Sequence, residues 1–127
     1  MKSKVFLVDD SMIARTMLKN MLGEVKQVEV VGEAGTGQGA IIMFDETNPD
    51  IVVIEVEMSG GMETSEVIRE IKRINPDVRI VISAGMRHKK DVISIVPVGF
   101  DDFISKPYNK EQVISCFESL AGVLNVG

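Results

Sequence analysis

Several things that often decide a protein's class are scarce in this sequence of 127 residues. There is one cysteine, Cys116, so no internal disulfide can form. That fits a reducing compartment, and a cytoplasmic location is expected. There is one histidine, His88, with no neighbouring histidine or cysteine to share a metal. It falls in Arg87-His88-Lys89-Lys90, which reads as a solvated basic loop. Uninterrupted apolar runs are a handful of residues, whereas a membrane helix needs roughly 20, so no membrane insertion is expected. The start, Met1-Lys2-Ser3-Lys4, is basic, but it passes through Val5-Phe6-Leu7-Val8 straight into Asp9-Asp10, which does not suit a signal peptide. Positive charge is short as well. With 14 Lys and Arg against 19 Asp and Glu, the net charge is −5 and the pI about 4.9. Direct nucleic-acid binding, which needs a concentrated positive surface, is therefore not expected. No repeat, low-complexity tract or linker divides the chain, and one domain over residues 1–127 is expected.

What is present is a regular alternation. Hydrophobic residues make up 45% and charged ones 26%, the balance of an ordinary globular domain. Ile51-Val52-Val53-Ile54 runs from the turn Asn48-Pro49 into Glu55, as a strand buried on both faces would. Val5–Val8 is a second such run, and it ends in Asp9 and Asp10. Further strands are expected over 27–33, over 78–82 ending at Ser83, and over 100–105 ending in Lys106-Pro107. Between them lie helical patterns. Ser11 caps a helix to about Leu22, with Ala14, Met17, Leu18, Met21 and Leu22 on one face and Gly23 as terminator. Others are expected from Ala40 to about Glu46, from Thr64 to Ile74, over 89–96 closed by Pro97 and Gly99, and from a capping box formed by Asn109 and Gln112. Cys116 falls on the apolar stripe of that last helix and reads as a core thiol. Five strands alternating with five helices imply an α/β, doubly wound parallel sheet covered on both faces.

In a parallel sheet all the carboxyl ends of the strands open on one edge, where ligands bind. Asp9-Asp10, Glu55, Ser83 and Lys106 all stand at such ends. Carboxylates gathered there would repel one another unless a cation joined them. An oxygen-only donor set suits Mg²⁺. A lysine and a hydroxyl beside it suit a phosphoryl group, whose charge the metal and ammonium neutralise while the hydroxyl donates to an oxygen. Singly, each residue has a blander reading: Asp9-Asp10 as turn acids, Ser83 as a structural hydroxyl, Lys106 as a surface lysine. Their joint placement carries the argument.

The whole chain resembles the receiver domains of two-component response regulators, in particular the single-domain chemotaxis type. Asp9-Asp10, the turn Gly32-Glu33-Ala34-x-x-Gly37, the strand from Asp50 to Glu55, Ser83-Ala84 and Lys106-Pro107 carry the resemblance. It implies a flavodoxin-like sheet in the order 2-1-3-4-5. It also implies Mg²⁺ held by Asp9, Asp10, Glu55 and the backbone carbonyl of Glu57. Phosphoryl chemistry would centre on Glu55 with Ser83 and Lys106, and Ser83 and Phe103 would be the switch residues. The expected function is phosphorelay signalling through a face made by the fourth helix, fifth strand and fifth helix. The expected partners are a sensor histidine kinase or phosphotransfer protein and a downstream protein effector, with the chain itself a monomer or weak dimer. No enzymatic turnover is expected beyond self-phosphorylation.

The sequence departs from the family at Glu55, where an aspartate is usual. One added methylene moves the carboxylate outward by roughly 1 Å, enough to cost about 100-fold in rate. Phosphotransfer is then impaired, mimicked or bypassed. The loop after Glu55 departs too, with Ser59 for a usual proline, Gly60-Gly61 adding a residue, and Thr64 for a glycine.

A reading from another class competes. Gly35-Thr36-Gly37-Gln38-Gly39-Ala40 fits G-x-G-x-x-[GA] after a strand, and Glu55 ends the next strand where an acid would hold a ribose. That would make the chain a Rossmann-type dinucleotide-binding domain. It leaves Asp9-Asp10, Ser83 and Lys106 without a role, and the fingerprint follows the second strand instead of the first.

Overall fold

The computed structural model of the protein describes residues 2–58, 61–85, 95 and 97–126. The elements run β1 (Ser3–Val8), α1 (Met12–Leu22), β2 (Val28–Ala34), α2 (Gly37–Thr47), β3 (Ile51–Glu55), α3 (Thr64–Ile74), β4 (Arg79–Gly85), β5 (Asp102–Lys106) and α4 (Lys110–Val126). All neighbouring strands pair in parallel, in the order β2-β1-β3-β4-β5. The expected order and the central place of β3 are therefore met. Four helices are formed among the described residues, against the five expected. The helix anticipated over 89–96 and the basic stretch 87–90 lie outside the described residues, apart from Ile95. Gly99, with φ +91°, donates its N–H to the Ile95 carbonyl at 3.1 Å.

Strand side chains alternate between faces, so each buried strand feeds two cores. Val52 and Ile54 join Phe6, Val8, Phe44, Val67, Ile68 and Ile71 beneath α2 and α3. Ile51 and Val53 join Val5, Leu7, Leu18, Leu22, Val113 and Phe117 beneath α1 and α4. Burying one such Ile or Val stabilises the fold by about 1.5–3 kcal/mol. That is why a short strand with no polar residue before Glu55 can hold the sheet's centre. Two non-helical residues tie it in place. Asp50 accepts from the Lys4 N–H with its carboxylate at 2.8 Å and donates its own N–H to the Lys4 carbonyl. Asn48 closes α2 in the left-handed region at φ 43°.

The boundaries differ from the sequence reading where side chains or pairing override local pattern. Helix α2 starts at Gly37 because Thr36 caps it, accepting from the Gly39 N–H at 3.0 Å. Strand β4 runs on through Ser83 to Gly85 because Ser83, Ala84 and Gly85 pair with Ile104, Ser105 and Lys106. Strand β5 starts at Asp102, since Asp101 takes the place of a ladder residue, its carboxylate accepting from the Ile80 N–H at 2.7 Å. On α1 Leu18 and Leu22 are buried and Met21 packs partly buried against the same core, whereas Met17 is 42% exposed. The capping box of α4 is half formed. Asn109 accepts from the Gln112 N–H at 2.9 Å, but the Gln112 side chain bonds Ser105 instead of returning to Asn109. Cys116 is buried, and burial pushes its thiol pKa up, as befits a core thiol. Among the described residues no helix is long and apolar enough to cross a membrane.

Candidate functional site

Register and alternation bring four of the expected residues to one place. Val8 pairs with Ile54, so Asp9, one residue on, comes level with Glu55. Glu55 pairs directly with Ser83. Lys106 pairs with Gly85, two residues beyond Ser83, and its long side chain reaches back over the strand ends. Asp9, Glu55, Ser83 and Lys106 all continue the strand positions that face α1 and α4. Phe103, by contrast, pairs with Ile82 and packs partly buried into the core under α2 and α3. The two expected switch residues therefore leave opposite faces of the sheet.

Lys106 is the hub. Its Nζ donates to Asp9 Oδ2 at 2.7 Å and forms a close ion pair with Glu55 Oε2. Asp9 and Glu55 are both buried, while the Lys106 side chain keeps 24% exposure. Burial alone would lower the Lys106 pKa, but its hydrogen bonds to Asp9 and Glu55 prevail and hold it above the ordinary lysine range. Glu55 moves upward too, which is the opposite of what pairing with a cation does to an acid. Burial is its largest influence, and the nearby Asp9 charge adds to the rise against the pull of Lys106. The lysine gains from both acids, whereas for Glu55 the cost of burial outweighs the pull of the one ammonium.

The frame around these groups is specific. Asp9 Oδ1 accepts from the Ser11 N–H at 2.9 Å, and Ser11 Oγ in turn accepts from the Ala14 N–H, so the start of α1 is hung on the acid. Arg15 donates to the Asp9 carbonyl and to Glu33, and Lys19 also pairs with Glu33. Those two cations, Lys19 first, hold the Glu33 carboxyl below its usual range. Thr64, the first residue of α3, is buried and donates its hydroxyl to the Glu55 carbonyl at 2.7 Å, with the Val56 carbonyl at 3.1 Å. It fastens the helix to the strand end that carries the site. Ser83 is 1% exposed, and its Oγ lies 2.9 Å from the Tyr108 hydroxyl. The Lys106 Nζ stands 5.9 Å from the centre of the Tyr108 ring.

Neither Tyr108 nor Arg15 was identified from sequence, and Thr64 was noted only as a departure. Tyr108 follows Lys106-Pro107 at a strand end, a position the same strand-end logic could have flagged. The contact between Arg15 and Asp9 has no sequence signal, because it depends on where α1 passes the sheet.

Asp10 and Glu57 are exposed at the same edge. Among the described residues no group of three or more His, Cys, Asp or Glu side chains is arranged to hold a metal ion. The side chains at this edge, Asp9, Asp10 and Glu55, carry hard carboxylate oxygens, the donor type that suits Mg²⁺. In the loop after β3, Ser59 and Gly60 lie outside the described residues. Gly61 takes φ +73°, a conformation that favours glycine.

The glycine turn after β2 has a packing explanation. A Cβ on Gly37 would come within 2.5 Å of Val67 Cγ2, so the glycine lets α2 close on α3. The turn also follows an edge strand, away from the sheet's centre. Nothing there calls for a pyrophosphate, and the dinucleotide reading is not favoured.

Comparison with known proteins agrees with the geometry. The family model of the response regulator receiver domain matches residues 5–118. The chain is 33% identical over 118 residues to the chemotaxis protein CheY of Listeria monocytogenes, covering 93% of this chain and 98% of that one. It is 32% identical over 121 residues to CheY of Thermotoga maritima, covering 95% and 99%. Among solved structures, the receiver domain of the response regulator AraT from Geobacillus stearothermophilus superposes with a TM-score of 0.89 at 20% identity, over 98% of this chain and 97% of that one. By its sequence, its sheet order and the acids and lysine at its strand ends, the chain belongs to the response regulator receiver domain family.

Proposed function

We propose that the chain is a stand-alone receiver domain of a two-component phosphorelay in which Glu55 occupies the acceptor position and transfers phosphoryl groups poorly. The observation that carries this reading is the bridge of Lys106 between Asp9 and Glu55. The longer glutamate already delivers negative charge to the lysine that would otherwise receive a phosphoryl oxygen. A receiver acid acts as a nucleophile on phosphorus in an in-line displacement, and Glu55 is tethered to Lys106 instead. Similarity to the two chemotaxis proteins over nearly their whole length supports a signalling role of the same kind.

Asp9, Asp10, Glu55 and the Glu57 carbonyl would hold Mg²⁺, which supplies charge neutralisation for an incoming phosphoryl group. Asp9 also anchors α1, and Lys106 and Ser83 present the donors. A kinase or phosphotransfer protein would engage this edge. A protein effector would read the face that includes β5 and α4, with Phe103 as its reporter.

The test is intact mass after incubation with Mg²⁺ and acetyl phosphate. Glu55→Asp should gain roughly 80 Da, one phosphoryl group, and the unaltered chain should not. A stable gain on the unaltered chain would refute the impaired acceptor. A failure of both proteins to gain mass would refute receiver chemistry at this site.

A further inference from the structure

The sequence contains one tyrosine and no tryptophan, and that tyrosine lies in the site. The Tyr108 hydroxyl is 2.9 Å from Ser83 Oγ, a distance at which one of the two must donate. Either oxygen could donate; the phenol, a far stronger acid than an aliphatic alcohol, is the better donor, which favours Tyr108 donating and Ser83 accepting. A serine hydroxyl carries one proton and two lone pairs. By accepting from Tyr108 it keeps its own proton for another partner and loses freedom to rotate.

What lies next to that proton is set by the sheet. Ser83 pairs with Glu55, and paired residues on adjacent strands sit about 4.8 Å apart with their side chains on one face. The Tyr108 ring is held by packing against the core under α1 and α4 and by the Lys106 ammonium beside it. A ring fixed at its body and at its face can orient the group at its tip.

We propose that Tyr108 is a positioning residue for the anion site: its phenol donates to Ser83 Oγ and directs the serine proton toward the anion held between position 55 and Lys106. The ligand class is a phosphoryl group or a tetrahedral analogue of one. This rests on reading residue 55 as the acceptor position. A purely structural Tyr108 would fill space and satisfy a buried hydroxyl without affecting anion affinity through Ser83.

The test measures beryllofluoride binding with Mg²⁺ by calorimetry on the Glu55→Asp protein, whose acceptor has the usual length. Adding Tyr108→Phe should weaken binding by roughly 2- to 10-fold, the span of one hydrogen bond. The loss should persist with Ser83→Thr, which keeps a hydroxyl, and vanish with Ser83→Ala. On the unaltered chain, the ring-carbon NMR resonance of the single tyrosine should shift on Ser83→Ala, and melting curves check that each variant is folded. An undiminished Tyr108→Phe effect in the Ser83→Ala background would overturn the proposal. So would unchanged or tighter binding in Tyr108→Phe, or a tyrosine signal indifferent to Ser83→Ala. If Glu55→Asp itself binds no beryllofluoride, the receiver reading fails and the proposal falls with it; the other failures leave that reading standing.

Discussion

Replacing Lys106 with methionine isolates the charge that holds the strand ends together. The substitution keeps most of the side-chain volume and removes the cation shared by Asp9 and Glu55. Breaking a buried ion pair by removing one partner costs about 3–5 kcal/mol when the remaining charge is stranded. Here the lysine is partly exposed and one acid can escape by taking a proton, so the expected loss at pH 7 is about 2–3 kcal/mol. For a chain of this length that lowers the melting midpoint by roughly 8–12 °C. The proton escape makes the loss depend on pH, and the sign follows from Glu55. Its folded pKa already lies above the ordinary carboxylate value and rises further without Lys106. A group whose folded pKa is raised contributes stability that is complete below its unfolded pKa and is lost as pH rises through its folded pKa. Lys106→Met should therefore lie nearer the parent protein at pH 5 than at pH 8. Adding Glu55→Gln should recover most of the deficit at pH 8. Thermal melts of the parent, the single variant and the double variant at both pH values provide the check. An equal deficit at pH 5 and pH 8, with no recovery from Glu55→Gln, would mean that Lys106 acts by packing and that the shared-cation account is wrong.

Two further substitutions probe the frame of the site. Thr64→Val removes the hydroxyl that joins α3 to the Glu55 and Val56 carbonyls; a loss of about 1–2 kcal/mol, read from urea denaturation, is expected for the unmet buried acceptor. Gly37→Ala places a methyl 2.5 Å from Val67 Cγ2. It should cost about 1–3 kcal/mol by overpacking, and Val67→Ala in the same chain should return part of it, so strictly additive losses would argue against that contact.

The fold was legible because its signals are redundant. The buried strands carry unbroken β-branched runs, and their boundaries are marked by Asn48-Pro49, Asn75-Pro76 and Lys106-Pro107. α3 was legible to the residue because Val67, Ile68 and Ile71 recur on one face between clear stops. The misplacements came where tertiary contacts replace local pattern. Asp101 imitates a strand residue with its side chain, and Gln112 leaves its box for Ser105. Met17 has the spacing of an inward residue on α1, but Leu18 and Leu22 already fill the space beneath the helix.

The candidate site was legible as a set of strand ends but not as a set of contacts, and the difference has a physical basis. Strand alternation fixes which side chains share a face, so Asp9, Glu55, Ser83 and Lys106 could be placed together from sequence alone. It says nothing about how far a flexible side chain extends or which neighbour it chooses. Lys106 spans the strand ends to reach both acids, and this turns a cluster of repelling carboxylates into a neutralising bridge. The same limit applies to Ser83. Phe103 packs on the opposite face of the sheet, and the ring that touches the serine comes from Tyr108 beyond the strand. Tyr108 reaches the serine from a loop, where no periodic signal marks it. The residue that completes such a site is therefore best sought just past the strand end, among side chains long enough to fold back over it.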